Sequence, residues 1–357
     1  MAEAAAAATP EARGGDLDAL RRECEAFRAR VARLRSEIGT VLVGQSRVVA
    51  EVLVALFANG HVLLEGPPGL GKTLLVRTIA DALALRFGRV QFTPDLMPAD
   101  LTGTTVISDD GEGGSRRIEF RAGPIFTNLL LADEINRAAP RTQSALLEAM
   151  AERSVSAGGE TRALTAPFLV LATQNPIEQE GTFPLPEAQL DRFLLKVLVP
   201  NPTREELDEI VGRTTRAESR RASACLDAAA ILDAQALARR VHLAPHIADY
   251  AARLVLATHP GGPHAPKEID RLVAVGASPR GLIALVSAAK VAALLDGRYA
   301  VSGDDLRAML RPSLRHRLVR SFEAESSRRR EDEILKQIID SVPREPDQPP
   351  IAEGDSR

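Results

Sequence analysis

The chain has 357 residues, enough for about two domains with tails, and its hydrophobic content of 45% is sufficient for a full core in each. Aromatic residues make up 3%, Trp is absent and the formal net charge is −3. These values argue against base stacking and a global basic field as the basis of activity, and so against nucleic acid as a partner, although a local basic groove stays open. Two cysteines are too few for a disulfide framework and suit a reducing, cytoplasmic compartment.

The N-terminal segment, residues 1–15, consists of Ala, Gly, Pro and charged residues, which predicts a disordered tail and does not resemble a signal peptide. From Leu17 to Ile38 the apolar residues recur at alternating intervals of three and four, so we predict an amphipathic helix over residues 16–40 with Asp16 as its N-cap. The heptads are too few for a typical coiled coil, and we interpret the helix as packing on its own domain. No run of residues is apolar enough to form a membrane span.

The rest of the chain divides by its hydrophobic periodicity. Residues 41–202 alternate short apolar strands with helical runs, the pattern of an α/β core built on a parallel sheet. Residues 203–320 carry helical periodicity alone, which predicts a smaller all-α domain. Residues 321–357 are charged and then Pro-rich, and we expect this C-terminal tail to fray.

The most informative motif is GPPGLGKT, a complete match to the phosphate-binding pattern G-x-x-x-x-G-K-[ST] between an apolar strand and a helix-forming run. Its glycines let backbone N–H groups face a phosphate at the positive end of the helix. Lys72 is expected to reach the β- and γ-phosphates, and the Thr73 hydroxyl to bind Mg²⁺. The motif therefore predicts binding of a nucleoside triphosphate. The predicted nucleotide-binding residues of this segment are Gly66, Pro67, Pro68, Gly69, Leu70, Gly71, Lys72, Thr73 and Leu74.

A second motif, LLLADE, is an apolar strand that ends in the two acids Asp133 and Glu134. Alone it is equally typical of an acidic turn after a strand. Beside a phosphate-binding loop, the first acid is expected near Mg²⁺ and the second next to the attacking water. The presence of both acids favours hydrolysis over transfer of the phosphoryl group.

Three further polar residues occupy positions from which they could reach the nucleotide. Asn175 follows the apolar strand over residues 168–173, Arg192 lies in the run LDRF, and Arg280 lies at a predicted helix start in GASPRG. A guanidinium stabilises transition-state charge without a proton transfer. The spacing leaves simpler roles open: a salt bridge with Asp191 for Arg192, and a solvated helix start for Arg280.

From Leu63 to Phe193, and on to about His316, the sequence resembles the AAA+ ATPases of the MoxR family, a P-loop NTPase fold with a helical lid. The resemblance implies that Asn175 is sensor 1, that Arg192 is the arginine finger and that Arg280 is sensor 2. It also implies that the segment with Val41, Val43, Gly44 and Gln45 packs by the adenine. The segments that carry the resemblance are GPPGLGKT, DLMPADLTG, ADEINRAAPRTQSALLEAMAE, LATQNPIEQEGTFPLPEAQLDRF, GASPRG and LLDGRYAVSGDDL.

Two segments predict β-hairpins. Residues 104–120 alternate on either side of a turn at 109–114, and a second turn is predicted at residues 157–159. In machines related to this family such hairpins point into a ring pore and touch the client, whereas an ordinary surface hairpin is the simpler interpretation.

The resemblance implies an ATPase that uses ATP and Mg²⁺ at the interfaces of a ring homo-oligomer, a hexamer, in the cytoplasm. Such proteins act as chaperones that remodel, mature or activate protein complexes, some by metal or cofactor insertion, commonly with a partner that carries a von Willebrand factor A domain. Two alternatives are a nucleic-acid-dependent AAA+ motor and a magnesium-chelatase-like ATPase subunit. A third, a nucleotide switch that does not hydrolyse, is disfavoured by Glu134, Asn175, Arg192 and Arg280 together.

Overall fold

Five parallel strands form the sheet at the centre of the α/β core. The computed structural model describes residues 10–109, 116–175, 181–215 and 220–345. The three inner strands of this sheet are buried apolar runs, as expected when helices cover both faces of a parallel sheet, whereas the two edge strands are partly exposed. The predicted parallel α/β core is confirmed. In the order in which they lie in the sheet, the five strands are β2 (Phe87–Gln91), β5 (Leu129–Asp133), β8 (Leu169–Gln174), β1 (Val62–Glu65) and β9 (Leu195–Leu198).

Because the five strands are parallel, their carboxyl ends lie at the same edge of the sheet. The strand β1 lies between β8 and β9, with Glu65 opposite both Gln174 and Leu198. The strand β5 lies on the other side of β8, and Asp133 is opposite Gln91 of β2. Ligands of such sheets bind beyond the carboxyl ends of the strands, so this edge is where a site is expected.

Helices cover the sheet and continue the chain. Those of the core and N-terminal region are α1 (Pro10–Val41), α2 (Ser46–Phe57), α3 (Lys72–Ala82), α4 (Pro98–Thr102), α5 (Pro140–Glu152), α6 (Glu187–Leu190) and α7 (Arg204–Thr214). A short 3-10 turn occupies Ile135–Arg137. Those of the following helical unit are α8 (Ala228–Arg240), α9 (Pro245–Leu256), α10 (Ile269–Leu272), α11 (Pro279–Leu295), α12 (Gly303–Leu314), α13 (Phe322–Ser326) and α14 (Glu331–Ser341).

The two predicted hairpins are confirmed, and they pack against each other. One consists of β3 (Gly103–Asp109) and β4 (Arg116–Ala122), and the other of β6 (Ser154–Ala157) and β7 (Glu160–Ala163). The Arg162 guanidinium lies 4.0 Å from the centre of the Phe120 ring, a cation–π contact between the hairpins. The turn of the first hairpin, apart from Asp109, lies outside the described residues.

The helical unit contains a strand pair that the prediction of an all-α domain did not include. The strands β10 (Val273–Val275) and β11 (Val319–Arg320) pair antiparallel. Strands of two and three residues are too short to produce a period-two signal, which explains the difference.

Both ends of the described chain are more helical than predicted. The helix α1 begins at Pro10 rather than Asp16, and its apolar face is buried against the core, with the Phe27 and Phe57 rings in edge contact at 4.9 Å. Instead of fraying after residue 321, the chain forms α13 and α14, and α14 buries Ile334, Leu335 and Ile338 completely. Those three apolar residues have helical spacing, which the charged composition of the segment concealed. Residues 1–9 and 346–357 of the predicted tails lie outside the described residues.

Among the described helices, none combines the length and the apolar character that crossing a membrane requires.

Candidate active site

The phosphate-binding loop connects β1 to α3 in the predicted manner. Gly69 and Gly71 have φ angles of 83° and 73°, a left-handed conformation that side chains other than glycine rarely adopt, and Gly71 is the N-cap of α3. The Lys72 ammonium donates hydrogen bonds to the carbonyl oxygens of Gly66 (2.5 Å) and Pro67 (3.0 Å). Burial lowers the pKa of Lys72, while the charges of Asp133 and Glu134 raise it. The loop therefore holds its cation beside the two acids.

The two acids at the end of β5 are each held by named partners. The Asp133 carboxylate accepts from Arg89 Nη2 at 2.8 Å through Oδ2 and from Thr173 Oγ1 at 2.7 Å through Oδ1. Glu134 Oε2 accepts from Gln91 Nε2 at 2.6 Å and pairs with Arg137 Nη1 at 3.1 Å. Both carboxylates are thus oriented before any substrate binds, as general-base and metal-binding groups require.

Six of the nine predicted loop residues line one cavity of about 460 Å³ together with the two acids and Asn175, whereas Gly66, Pro67 and Leu70 are not among its lining residues. Asn175 follows β8 and is 6% exposed. The Thr73 hydroxyl and the Asp133 carboxylate supply the hard oxygen donors that Mg²⁺ prefers, so the residues present fit that ion. The cavity is lined by Pro68, Gly69, Gly71, Lys72, Thr73, Leu74, Arg89, Asp133, Glu134, Thr173 and Asn175.

The segment predicted to lie by the adenine is fastened to the loop. Gln45 Nε2 donates to the Leu70 carbonyl at 2.9 Å. Gly44 has a φ of 64°, which favours glycine, and a Cβ there would lie 2.1 Å from Glu206 Oε1, so a side chain would displace the Glu206 carboxylate. Val43, which precedes them, is partly exposed. This segment therefore adjoins the nucleotide-binding loop, with glycine required at its tightest point.

The two predicted arginines lie elsewhere. Arg192 and Arg280 are exposed, and neither belongs to the residues that line the cavity in the described part of this subunit. The alternative role for Arg192 is not observed, because Asp191 pairs with Arg317 at 2.6 Å instead. Arg280 is the second residue of α11, directly after Pro279. Both guanidinium groups are thus available at the surface.

Sequence reasoning missed Arg89, Gln91 and Thr173, which hold the two acids. Arg89 and Gln91 alternate with the buried Val90 along β2, and this alternation is the only signal that the sequence carries. The alternation identifies Arg89 and Gln91 as partners of the two acids only when β2 is known to lie next to β5, and the sequence does not give this strand order.

Comparison with known proteins gives consistent matches over most of the chain. A sequence model of the ATPase family associated with various cellular activities (AAA) matches residues 61–195, and a model of the AAA lid domain matches residues 265–338. The chaperone MoxR1 of Mycobacterium tuberculosis (strain ATCC 25618 / H37Rv) is 42% identical over 306 residues, which cover 86% of this chain and 80% of the relative. The protein MoxR of Methylorubrum extorquens is 36% identical over 335 residues, or 89% and 96% of the two chains.

The fold agrees with a solved structure. A crystal structure of a protein from Cytophaga hutchinsonii ATCC 33406 superposes with a TM-score of 0.85 at 36% identity, covering 92% of this chain and 98% of the other. The lid model ends at residue 338, so the match includes most of α14, beyond the predicted boundary at residue 320. The α/β core and the helical unit therefore correspond to an AAA domain and its lid.

Proposed function

Because the chain belongs to the MoxR family of AAA+ ATPases, we propose that it assembles into a hexameric ring and couples ATP hydrolysis to the remodelling, maturation or activation of partner protein complexes. The observation that carries this proposal is the convergence of Lys72, Asp133 and Glu134 on one cavity while Arg192 stays exposed outside it. An ATPase site that lacks its finger arginine because Arg192 lies outside the cavity of its own subunit is suited to completion by a neighbouring subunit.

Within one subunit the described contacts support separate roles for the residues that bind the phosphates, polarise the attacking water and hold the metal ion. The N–H groups of the loop and the Lys72 ammonium bind the phosphates, and Glu134 polarises the attacking water while Gln91 and Arg137 orient its carboxylate. Thr73 and Asp133 would hold Mg²⁺, which when bound neutralises charge on the phosphate oxygens. Asn175 at the end of β8 lies where it can contact the γ-phosphate.

Two exposed arginines complete the site, Arg192 from the neighbouring subunit and Arg280 from the lid of the same subunit. Arg192 contributes to a neighbour's transition state as the arginine finger, and Arg280 at the start of α11 acts as sensor 2, which links the nucleotide to the lid. This arrangement makes hydrolysis depend on assembly of the ring.

The proposal extends to partners and location. The packed pair of hairpins, joined by Arg162 and Phe120, is the surface that we assign to contact with the client. We expect a partner with a von Willebrand factor A domain, and clients that include complexes matured by metal or cofactor insertion. Cys24 and Cys225 are both free thiols, which suits the cytoplasm.

Replacement of Glu134 by Gln tests the proposal. Glu134→Gln removes the water-polarising carboxylate but keeps the size and the hydrogen bonding of the side chain, so it should bind ATP with wild-type affinity and hydrolyse it at least about 100-fold more slowly. Its ATP-bound state should persist as a ring in native mass spectrometry and retain client complexes in pull-downs. Glu187→Gln, at an exposed position of α6, is the matched control. Wild-type turnover by Glu134→Gln, or a monomer in the ATP state, would contradict the proposal.

A further inference from the structure

Asp191, directly before the proposed arginine finger Arg192, is bound to the lid through both of its carboxylate oxygens. Asp191 Oδ1 pairs with Arg317 Nε at 2.6 Å, and Asp191 Oδ2 accepts from Ser278 Oγ at 2.9 Å. The side chains of Asp191 and Arg317 are 16% and 3% exposed, so the pair is largely shielded from water. A buried ion pair is costly to separate because each charge would be left without compensation.

The Arg317 guanidinium also binds the backbone on both sides of the finger. Its Nη2 donates to the carbonyl oxygens of Asp191 (3.1 Å) and Phe193 (2.7 Å), and its Nη1 donates to those of Leu194 (3.2 Å) and Ser313. Burial lowers the pKa of Arg317, and the pairing with Asp191 raises it. The backbone around Arg192 is therefore held by the lid, mainly through Arg317, with His316 Nε2 also 3.0 Å from the Phe193 carbonyl oxygen.

The other Asp191 contact leads to sensor 2. Ser278 is the N-cap of α11, and its hydroxyl accepts from the backbone N–H of Arg280 at 3.2 Å while donating to Asp191. The helix passes very close to Arg317, since a Cβ on Gly281 would lie 3.1 Å from Arg317 Cδ. The Asp191 carboxylate thus connects the residue directly before Arg192 to the start of α11, which carries Arg280.

From these contacts we propose that Asp191 is a positioning residue that couples the two arginines of one subunit. A lid that closes on the subunit's own nucleotide through Arg280 carries Ser278 and Arg317 with it, and Asp191 transmits that movement to Arg192. The nucleotide bound in one subunit then sets the rate of hydrolysis in the neighbour. This inference rests on the proposed function, in which Arg192 acts across the subunit interface.

The test separates coupling from catalysis by measuring the ATPase rate against ATP concentration. Wild type should show a Hill coefficient above about 1.5, and Asp191→Asn and Ser278→Ala should lower it to about 1. The same variants should reduce kcat by about tenfold or more, because a displaced guanidinium loses transition-state contact. The dissociation constant of a fluorescent ATP analogue, measured in the Glu134→Gln background, should change less than about twofold.

Two controls account for structural damage. Ser278→Thr keeps the hydroxyl and should retain the wild-type Hill coefficient. Asp227→Ala removes the N-cap bond of α8 (2.8 Å to the Ala230 N–H) at an exposed site away from Asp191, and should also leave cooperativity unchanged. Should Asp191→Asn fail to fold, Ser278→Ala carries the test alone, since it leaves the buried ion pair in place.

The outcomes distinguish this inference from its premise. An Arg192→Ala variant that hydrolyses ATP at the wild-type rate removes the premise and the coupling with it. An inactive Arg192→Ala together with an unchanged Hill coefficient in Ser278→Ala overturns the role of Asp191 alone. A Hill coefficient of about 1 for the wild-type protein would also overturn the role of Asp191, because the subunits would then not be coupled.

Discussion

The Thr173 hydroxyl accepts the backbone N–H of Glu134 at 2.8 Å, and the same hydroxyl donates to Asp133 Oδ1 at 2.7 Å. Glu134 has a left-handed conformation with φ 56° and ψ 51°, which a residue other than Gly or Asn adopts at some cost. The hydroxyl of the neighbouring strand therefore holds the turn that aims the Glu134 carboxylate, and it fixes the Asp133 carboxylate at the same time.

Thr173→Val should reduce hydrolysis more than it reduces nucleotide binding. The methyl group that replaces the hydroxyl leaves the Glu134 N–H without its acceptor, at a cost of about 1–3 kcal/mol, and it leaves Asp133 with Arg89 as its remaining named partner. We expect kcat to fall by about tenfold or more, with ATP affinity nearly unchanged. Thr173→Ser, which keeps the hydroxyl, should remain close to wild type. Equal kcat values for the Val and Ser variants would show that this bond does not orient Glu134.

Arg89→Ala should lower the Mg²⁺ concentration required for nucleotide binding. The Arg89 guanidinium and a metal ion would share the Asp133 carboxylate, so each disfavours the other. The Arg89 side chain is 47% exposed, and an exposed pair contributes at most about 1 kcal/mol, which corresponds to about a fivefold shift. Titration of a fluorescent ATP analogue at a series of Mg²⁺ concentrations measures this shift in the Mg²⁺ requirement. Arg86→Ala, which removes another exposed arginine that is bonded to Thr165 rather than to Asp133, is the control. A shift to higher Mg²⁺ would contradict the prediction.

The parts that were predictable from sequence are those in which local pattern and chemistry coincide. The apolar run ending at Asp133 predicted both the buried strand and its acids, and the glycines of residues 66–73 predicted the loop and its Lys72. Arg89, Thr173 and Arg317 were not predictable, because their roles depend on which strands are neighbours and on the packing of the lid against β9. Those contacts join residues far apart in the chain, such as Arg317 and Asp191, and no local periodicity encodes them.

His61→Gln should reduce the amount by which the free energy of unfolding falls at acidic pH. His61 is buried, with Nδ1 accepting the Val170 N–H at 2.9 Å and Nε2 facing the Met150 carbonyl at 3.2 Å. Burial, followed by the charge of Arg153, lowers the pKa of His61 to about 3, against 6.5 for an ordinary histidine. Between these values the unfolded chain binds a proton that the folded chain excludes, so stability is full above pH 6.5 and is lost as the pH falls toward 3.

The measurement is the free energy of unfolding in urea at pH 7.5 and 5.5. Wild type should lose about 1.4 kcal/mol more than His61→Gln over this interval, since one pH unit below 6.5 corresponds to that amount for one proton. Glutamine can make both hydrogen bonds without titrating. His264→Gln, at an exposed position, serves as the control. An equal pH dependence for His61→Gln and wild type would contradict the assignment of a neutral, buried His61.

The decisive prediction concerns Arg192, which separates a ring machine from an enzyme that works as a monomer. Arg192→Ala should fold and bind ATP but lose hydrolysis by about 10³–10⁵, the contribution of an arginine finger to the transition state. Arg192 makes no contribution to the lining of its own subunit's cavity within the described residues, so nucleotide affinity should not change. Isothermal titration with a slowly hydrolysed ATP analogue and a phosphate-release assay measure the two quantities.

Mixing then identifies the subunit on which Arg192 acts. Lys72→Ala lacks the cation that binds the phosphates but keeps Arg192, whereas Arg192→Ala keeps an intact loop. Each variant should be inactive alone, and an equimolar mixture should recover part of the wild-type rate, because some interfaces pair an intact loop with an intact Arg192. Wild-type specific activity should also rise with protein concentration as rings assemble. Turnover that is independent of concentration, with no recovery on mixing, would place the action of Arg192 within its own subunit, which its exposed position outside the cavity opposes.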